Sequence, residues 1–325
     1  MRVLLLGATG LLGHNVLLRL LDAGHEVTVL VRRVNGIRLP HGGWRTVTGS
    51  PLERRTLMEA AEGCDAVVNC VGATDMSLLR LADYMPANRD LPTLVVSVME
   101  ELGITTLVHT STVNTIGQGS EERLADESAP VRPPFSKSLY ARSKQAGEAV
   151  VLGAARRHTD WRVVVVNPGF MLGAWDVKPS SGRLLDAAYK RRIMVVPCGG
   201  KTFVSVGDVA QAVVNALTKG HSGERYIVAS TNMSMADLYR LQAQSMGYSQ
   251  RLIVLPTGVV LAAGVVGEML RSCGLRSELS LNNMQQIVAH EYYDGSRACR
   301  ELGITYTPIE DAIKEYHTWK RQLKD

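Results

Sequence analysis

The chain has 325 residues, 46% of them hydrophobic and 21% charged, which is enough for a large core in about two domains and excludes a disordered protein. Its 36 basic and 31 acidic residues leave a charge of +5, which suits an anionic small ligand. The basic residues form only short pairs such as Arg32-Arg33 and Arg156-Arg157, so no nucleic-acid partner is expected. The five cysteines are odd in number and never spaced C-x-x-C, which points away from a disulfide frame or a metal site and toward a reducing, cytoplasmic compartment.

In chain order the pattern is strand then helix. Residues 3–6 read as a buried parallel strand too short for an export signal, and residues 11–23 as a helix closed by Gly24. A strand at 26–31, a helix at 52–61, a strand at 66–71, a helix at 91–102 and a strand at 106–110 continue the alternation. A long helix at 141–157 and a strand at 162–166 follow. Beyond Pro168 the pattern loosens. Residues 203–217 read as a return to the first unit, with Asp208 capping a helix, and 309–323 as a terminal helix. The expected fold is α/β: a Rossmann doubly wound parallel sheet with a smaller C-terminal α/β substrate domain. Residues 1–167 and 202–220 would form the sheet domain; 168–201 and 221–325 would form the substrate domain. Residues 252–267 carry no charge and are too short to span a bilayer. They read as a buried or interfacial helix, which leaves contact with a membrane surface open.

Gly7-Ala8-Thr9-Gly10-Leu11-Leu12-Gly13 stands between the first strand and the first helix. Gly7 permits the tight turn, Gly10 lets the backbone approach a pyrophosphate, and Gly13 allows close helix packing. At the end of the second strand, where an NAD site usually offers a carboxylate, the chain has Arg32 and Arg33. Guanidiniums there favour the 2′-phosphate of NADP(H), with NAD(H) still possible.

Tyr140 and Lys144 are four residues apart and share a helix face. An ammonium beside a phenol favours its ionisation, so Tyr140 reads as the proton donor and acceptor and Lys144 as its electrostatic partner and a donor to the nicotinamide ribose. Thr110-Ser111-Thr112 ends a strand and supplies a hydroxyl to the same substrate oxygen.

Taken together, these motifs resemble the extended short-chain dehydrogenase/reductase superfamily, the NAD-dependent epimerase/dehydratase family, and its dihydroflavonol reductase-like and 3β-hydroxysteroid dehydrogenase-like branches. The stretches 107–112, 140–144, 167–173 and 203–210 carry the likeness with the glycine fingerprint. Alignment through Gly117 implies a catalytic Thr112, with Ser111 as the adjacent alternative, together with Tyr140 and Lys144. The resemblance also implies a coenzyme set of Gly7, Thr9, Gly10, Leu11, Leu12, Gly13, Arg32, Arg33, Val71, Gly72, Asn88, Thr110, Ser111, Asn167, Pro168, Gly169 and Phe170, shared with Tyr140 and Lys144. Homodimers are frequent in the family, which implies one here through the helices at 91–102 and 141–157. Two departures limit the transfer. Gly49-Ser50-Pro51-Leu52 replaces the usual Gly-Asp-Leu at the adenine, and Val113 and Asn114 follow Thr112 where dehydratases place acids.

The expected activity is that of an NADP(H)-dependent carbonyl reductase or alcohol dehydrogenase acting on a moderately apolar small molecule. Met76, Asn114, Phe170, Met171 and Trp175 would line its pocket, and Lys178 and Lys201 are candidates for meeting a substrate anion. The alternatives are an NAD-dependent nucleotide-sugar epimerase and a non-catalytic NADP(H)-binding redox sensor or assembly protein. His14, His25 and His41 lack metal-ligand partners at suggestive spacing and read as surface or turn residues, Met233 and Met235 as packing.

Overall fold

A computed structural model describes residues 1–33, 43–177, 181–275 and 279–323. The first half alternates β1 (Arg2–Leu6), α1 (Leu11–Asp22), β2 (Glu26–Val31), β3 (Trp44–Thr48), α2 (Arg54–Ala61), β4 (Ala66–Asn69), α3 (Leu91–Leu102), β5 (Thr106–Thr110), α4 (Leu139–Arg157) and β6 (Arg162–Pro168). The second half runs β7 (Phe170–Leu172), α5 (Gly182–Ala188), β8 (Ile193–Pro197), β9 (Gly200–Ser205), α6 (Val206–Asn215), β10 (Glu224–Val228), β11 (Thr231–Ser234), α7 (Met235–Ser245), β12 (Arg251–Leu255), α8 (Thr257–Ser272), α9 (Leu281–Val288), β13 (His290–Glu291), α10 (Ser296–Leu302) and α11 (Ile309–Gln322).

Seven strands form one parallel sheet in the order β10-β6-β5-β4-β1-β2-β3, a Rossmann doubly wound arrangement that reverses between β1 and β4. The apolar runs sort their side chains by alternation. Val3, Leu5, Val27, Val29, Val68, Val108 and Val164 face α1 and α6 in one core. Leu4, Leu6, Leu30, Val67, Leu107 and Val163 face α2, α3 and α4 in the other. Both faces are thereby dry, which an all-parallel sheet requires. A third core of Phe203, Leu238, Tyr239, Ile313 and Tyr316 lies under a small sheet in which β9 joins β7, β11 and β13.

Several sequence expectations shift. The strand β3 was not expected. Only Val47 among its residues is buried, so the edge strand carries almost no apolar signal. The second helix begins at Arg54, not at residue 52. Within the stretch expected to return to the first unit, residues 202–205 belong to the small sheet, while α6 packs on α1. Strand β10, assigned by sequence to the substrate part, instead closes the edge of the large sheet. The cap of α6 is Ser205, whose Oγ accepts from the Gly207 N–H at 3.2 Å. Asp208 lies inside the helix and accepts from the Thr307 N–H and hydroxyl, each at 2.7 Å. The uncharged 252–267 stretch divides into β12 and the start of α8. That helix is not buried: Val259, Val265, Val266 and Met269 are exposed. Among the described residues, no helix is long and apolar enough to cross a membrane.

Candidate active site

The turn from β1 into α1 is fixed by contacts that forbid side chains. Gly7 has φ +90°, and a Cβ there would come within 2.9 Å of the Cys70 carbonyl carbon. A Cβ on Gly13 would stand 2.0 Å from the Gly7 oxygen, so the helix can approach the strand only with glycine. Gly10 differs. Its backbone is extended, it is exposed, and a Cβ there would make only an ordinary 3.5 Å contact with the Gly7 oxygen. Nothing in the chain itself demands glycine at that position, whereas a ligand seated against the backbone would. Gly10 caps α1 without a side chain, and the first turn has no acid, so the amide end of the helix is open to an anion. These features fit a dinucleotide pyrophosphate.

The neighbouring strand ends complete the crevice. Register pairs Leu6 with Leu30 and with Asn69, and Asn69 with His109, so Arg32, Val71 and Thr110 follow at the ends of β2, β4 and β5, with β1 and its glycine turn between the first two. Arg32 and Arg33 are exposed there. The Asn69 Oδ1 accepts from the Val71 N–H at 3.0 Å, fixing the chain as it leaves the sheet. Asn88 is fully buried and acts as a clamp. Its Oδ1 accepts from the Ala73 N–H at 2.8 Å, and its Nδ2 donates to the Ala73 carbonyl at 3.0 Å and to the Ser143 Oγ at 2.8 Å. The loop after β4 is thereby tied to α4.

That helix carries Tyr140 and Lys144, one turn apart. Ser138 starts it, its Oγ accepting from the Ala141 N–H at 3.4 Å. The Lys144 Nζ is buried and donates to the Thr110 carbonyl at 2.7 Å. A Cβ on Gly72 would lie 3.7 Å from the same nitrogen, so the ammonium faces the crevice beyond β4. Burial pulls Lys144 down to about 8, with the charge of Glu148 pushing the other way. Thr112 is buried. Its Oγ1 accepts from the Asn114 N–H at 3.3 Å, which leaves the hydroxyl proton for another acceptor, and its side chain hydrogen-bonds Tyr140. Burial holds the Tyr140 phenol above its ordinary value, and the Thr112 hydrogen bond pulls the other way. The sequence reading made Lys144 the cause of a lowered phenol. Here the lysine is instead engaged with Thr110, and Tyr140 keeps its proton at neutral pH. The Ser111 Oγ is buried without a partner beside this group.

A cavity of about 240 Å³ opens on Tyr140. Met76, Leu78, Leu79, Tyr84 and Leu139 line it, together with Lys137, Glu268, Arg271, Ser280, Asn282 and Asn283 from the turn before α4 and from the α8–α9 region. Of the expected substrate residues only Met76 borders it. Asn114 lies in the turn after Thr112, while Phe170 and Met171 pack from β7 against the third and first cores. Trp175, at φ 71°, stacks on His14 with ring centroids 3.9 Å apart and leans on Trp319 at 6.1 Å. His14 is therefore buried, not a surface residue, and burial lowers it to about 4. Lys201 is paired with the buried Glu291 and so is unsuited to a substrate anion. Lys178 and His41 lie outside the described residues. Arg271 and Lys137, which do border the cavity, escaped sequence reading because only tertiary folding brings 271 beside 140.

Fold and cleft together define a Rossmann enzyme of the extended short-chain dehydrogenase/reductase kind. A model of the NAD dependent epimerase/dehydratase family matches residues 3–229, and the chain belongs to that family. It is 26% identical over 328 residues to sterol demethylase protein B of Methylococcus capsulatus, with 99% of each chain covered. It is 28% identical over 333 residues to 4-hydroxy-2-methyl-3-oxo-4-farnesyl-3,4-dihydroquinoline-1-oxide ketoreductase of Stigmatella aurantiaca, covering 97% of this chain and 96% of that one. Among solved structures it resembles that of gox2253, with a TM-score of 0.84 and 26% identity over 99% of this chain and 98% of the other.

Proposed function

We propose that the chain is an NADP(H)-dependent carbonyl reductase, or in reverse an alcohol dehydrogenase, with Thr112, Tyr140 and Lys144 as its catalytic residues. One observation carries the reading: a protonated Tyr140, hydrogen-bonded to Thr112, borders a cavity while Lys144 faces the adjoining dinucleotide crevice. The bound coenzyme would supply the hydride. In the reducing direction Tyr140 gives its proton to the carbonyl oxygen as that oxygen gains negative charge, and Thr112 donates a hydrogen bond to the same atom. Lys144 donates to the coenzyme ribose from the crevice side. Arg32 meets the 2′-phosphate. The named ketoreductase among the relatives supports the reaction class. The mixed lining of the cavity supports an amphipathic small molecule rather than a wholly apolar one.

The test is a fluorescence titration with NADPH and NADH, after extraction of any coenzyme already bound. The expected result is exchangeable binding with NADPH preferred. Arg32→Ala should weaken NADPH about tenfold to a hundredfold, the loss of a charge-assisted contact, and leave NADH nearly unchanged. Equal losses for both would remove the 2′-phosphate role. Tightly retained NAD would turn the assignment to epimerisation.

A further inference from the structure

Behind Thr112 lies a buried polar network that the proposed chemistry does not use. Asn167, fully buried at the end of β6, places its Nδ2 3.1 Å from the Thr112 carbonyl, 3.0 Å from the Thr115 Oγ1 and 3.1 Å from the Glu148 Oε2. The Thr115 hydroxyl lies 2.8 Å from the Thr112 carbonyl and 2.9 Å from the same Glu148 oxygen. The other carboxylate oxygen, Oε1, accepts from Arg225 Nη1 at 3.2 Å, and Arg225 reaches in from β10. Glu148 is itself buried, one helical turn beyond Lys144 on α4.

Proton bookkeeping gives the network a direction. A carboxylate can only accept, an amide has a pair of N–H bonds, and a hydroxyl has one proton. With Glu148 drawing the Thr115 proton, both Asn167 N–H bonds are free for the Thr112 carbonyl and the Thr115 oxygen. In that arrangement Glu148 accepts from Thr115 and Arg225, and the Thr112 carbonyl accepts from Asn167. Without that acceptor the Thr115 proton turns to the Thr112 carbonyl, and Asn167 loses its fixed role. The carboxylate thus decides which donor holds the 112–115 turn, and that turn aims the Thr112 hydroxyl at Tyr140.

We propose that Glu148 is a positioning residue for the Thr112–Tyr140–Lys144 site, orienting Thr112 through Thr115 and Asn167 while setting its charge beside Lys144. A buried carboxylate is costly without partners, and the hydrogen bonds from Thr115 and Arg225 are what make this one tolerable. Its negative charge favours the ammonium form of Lys144 against burial. The role rests on the reductase reading for its kinetic consequence, but not for the geometry.

The experiment compares wild type, Glu148→Gln and Glu148→Ala in protein labelled with 3-fluorotyrosine, the Tyr140 signal being assigned by its loss in Tyr140→Phe. Glutamine keeps an acceptor and removes the charge; alanine removes both. In coenzyme-free protein, alanine should move the Tyr140 fluorine resonance and glutamine should leave it nearly in place. With NADPH and a carbonyl taken from a substrate screen, alanine should lower kcat about tenfold to a hundredfold with KM within about twofold. Glutamine should move the alkaline limb of kcat to lower pH, because Lys144 loses its stabilising neighbour. An unmoved resonance in folded alanine protein, or a glutamine profile superimposed on wild type, overturns the proposal. If the alanine variant fails to fold, the glutamine pH profile decides alone. If wild type reduces no carbonyl, the reductase reading fails, while the fluorine comparison still decides the network.

Discussion

The crevice and the cavity adjoin at Tyr140 but are built by different means. The crevice at the carboxyl ends of the strands is made of backbone. The glycine turn, the amide end of α1 and four strand ends are held by parallel register and by Asn69 and Asn88. The cavity is made of side chains borrowed from distant segments, with Arg271 and Asn282 brought from α8 and α9 to the turn that carries Lys137. A shape written in backbone tolerates few residues at each position and leaves a strong imprint on the sequence. A shape written in side chains can be met by many combinations, which is how one scaffold serves different substrates.

The largest expected effect falls where the two regions meet. Tyr140→Phe removes one oxygen at the cavity wall and leaves the glycine turn untouched. Turnover should fall by about a hundredfold to ten-thousandfold, the range of a lost general acid, with NADPH affinity within about twofold. Stopped-flow turnover and a coenzyme titration on the same preparation check both halves. Large residual turnover would take proton transfer away from Tyr140. A large loss of binding would mean that crevice and cavity are not separable.

The glycines sharpen the contrast within the crevice itself. Gly13→Ala drives a methyl to 2.0 Å from the Gly7 oxygen, and because backbone must move, we expect about 1–3 kcal/mol or more of lost stability. Gly10→Ala meets nothing closer than 3.5 Å and should fold with wild-type stability, yet bind NADPH at least about tenfold more weakly because its methyl intrudes on the ligand. Denaturant melts and titrations on the two variants separate these outcomes. Equal destabilisation would mean that Gly10 answers to the fold, and the case for a phosphate seat there would lapse.

These differences explain what the sequence could reveal. The seat of α1, the strand at 106–110 and the helix bearing Tyr140 and Lys144 were legible because each follows from a local rule: glycine where backbones touch, apolar runs where a parallel strand is dry, four-residue spacing on one helix face. Edge strand β3 was not, since Trp44, Arg45, Thr46 and Thr48 alternate around a single buried Val47. Asp208 looked like a helix cap, but a serine three residues earlier takes that place and frees the aspartate to hold Thr307. Trp175 looked like a pocket wall and packs instead on His14, a pairing between residues 161 positions apart that no local pattern announces. Lys144 was legible as a neighbour of Tyr140, while its bond to Thr110 was not.

The burial of that lysine predicts a pH response. Lys144 is lowered to about 8, so its charge is present below that pH and is lost as pH rises through it. NADPH affinity should hold from about pH 7 to 7.5, where the 2′-phosphate is already fully ionised, and fall by several-fold toward pH 9, since a neutral amine holds the ribose more weakly. Lys144→Arg cannot lose its proton in this range and should flatten the profile, at the cost of an ill-fitting side chain. A wild-type profile unchanged through pH 9 would assign the coenzyme contact to other donors.

The smallest expected effect belongs to the side-chain-built cavity. Arg271 donates to the Leu78 carbonyl at 3.2 Å, and its charge reaches Tyr84, whose ring lies 6.4 Å from that of Tyr140. It borders the cavity on the side of Tyr84 and Leu78. Arg271→Ala should leave kcat and NADPH affinity unchanged and raise KM for a carbonyl substrate by about twofold to tenfold, a uniform loss of binding shared by ground and transition states. A fall in kcat of similar size would show that α8 helps to set the geometry at Tyr140, and the division between a backbone-built crevice and a side-chain-built cavity would have to be redrawn to include that helix in the reacting centre.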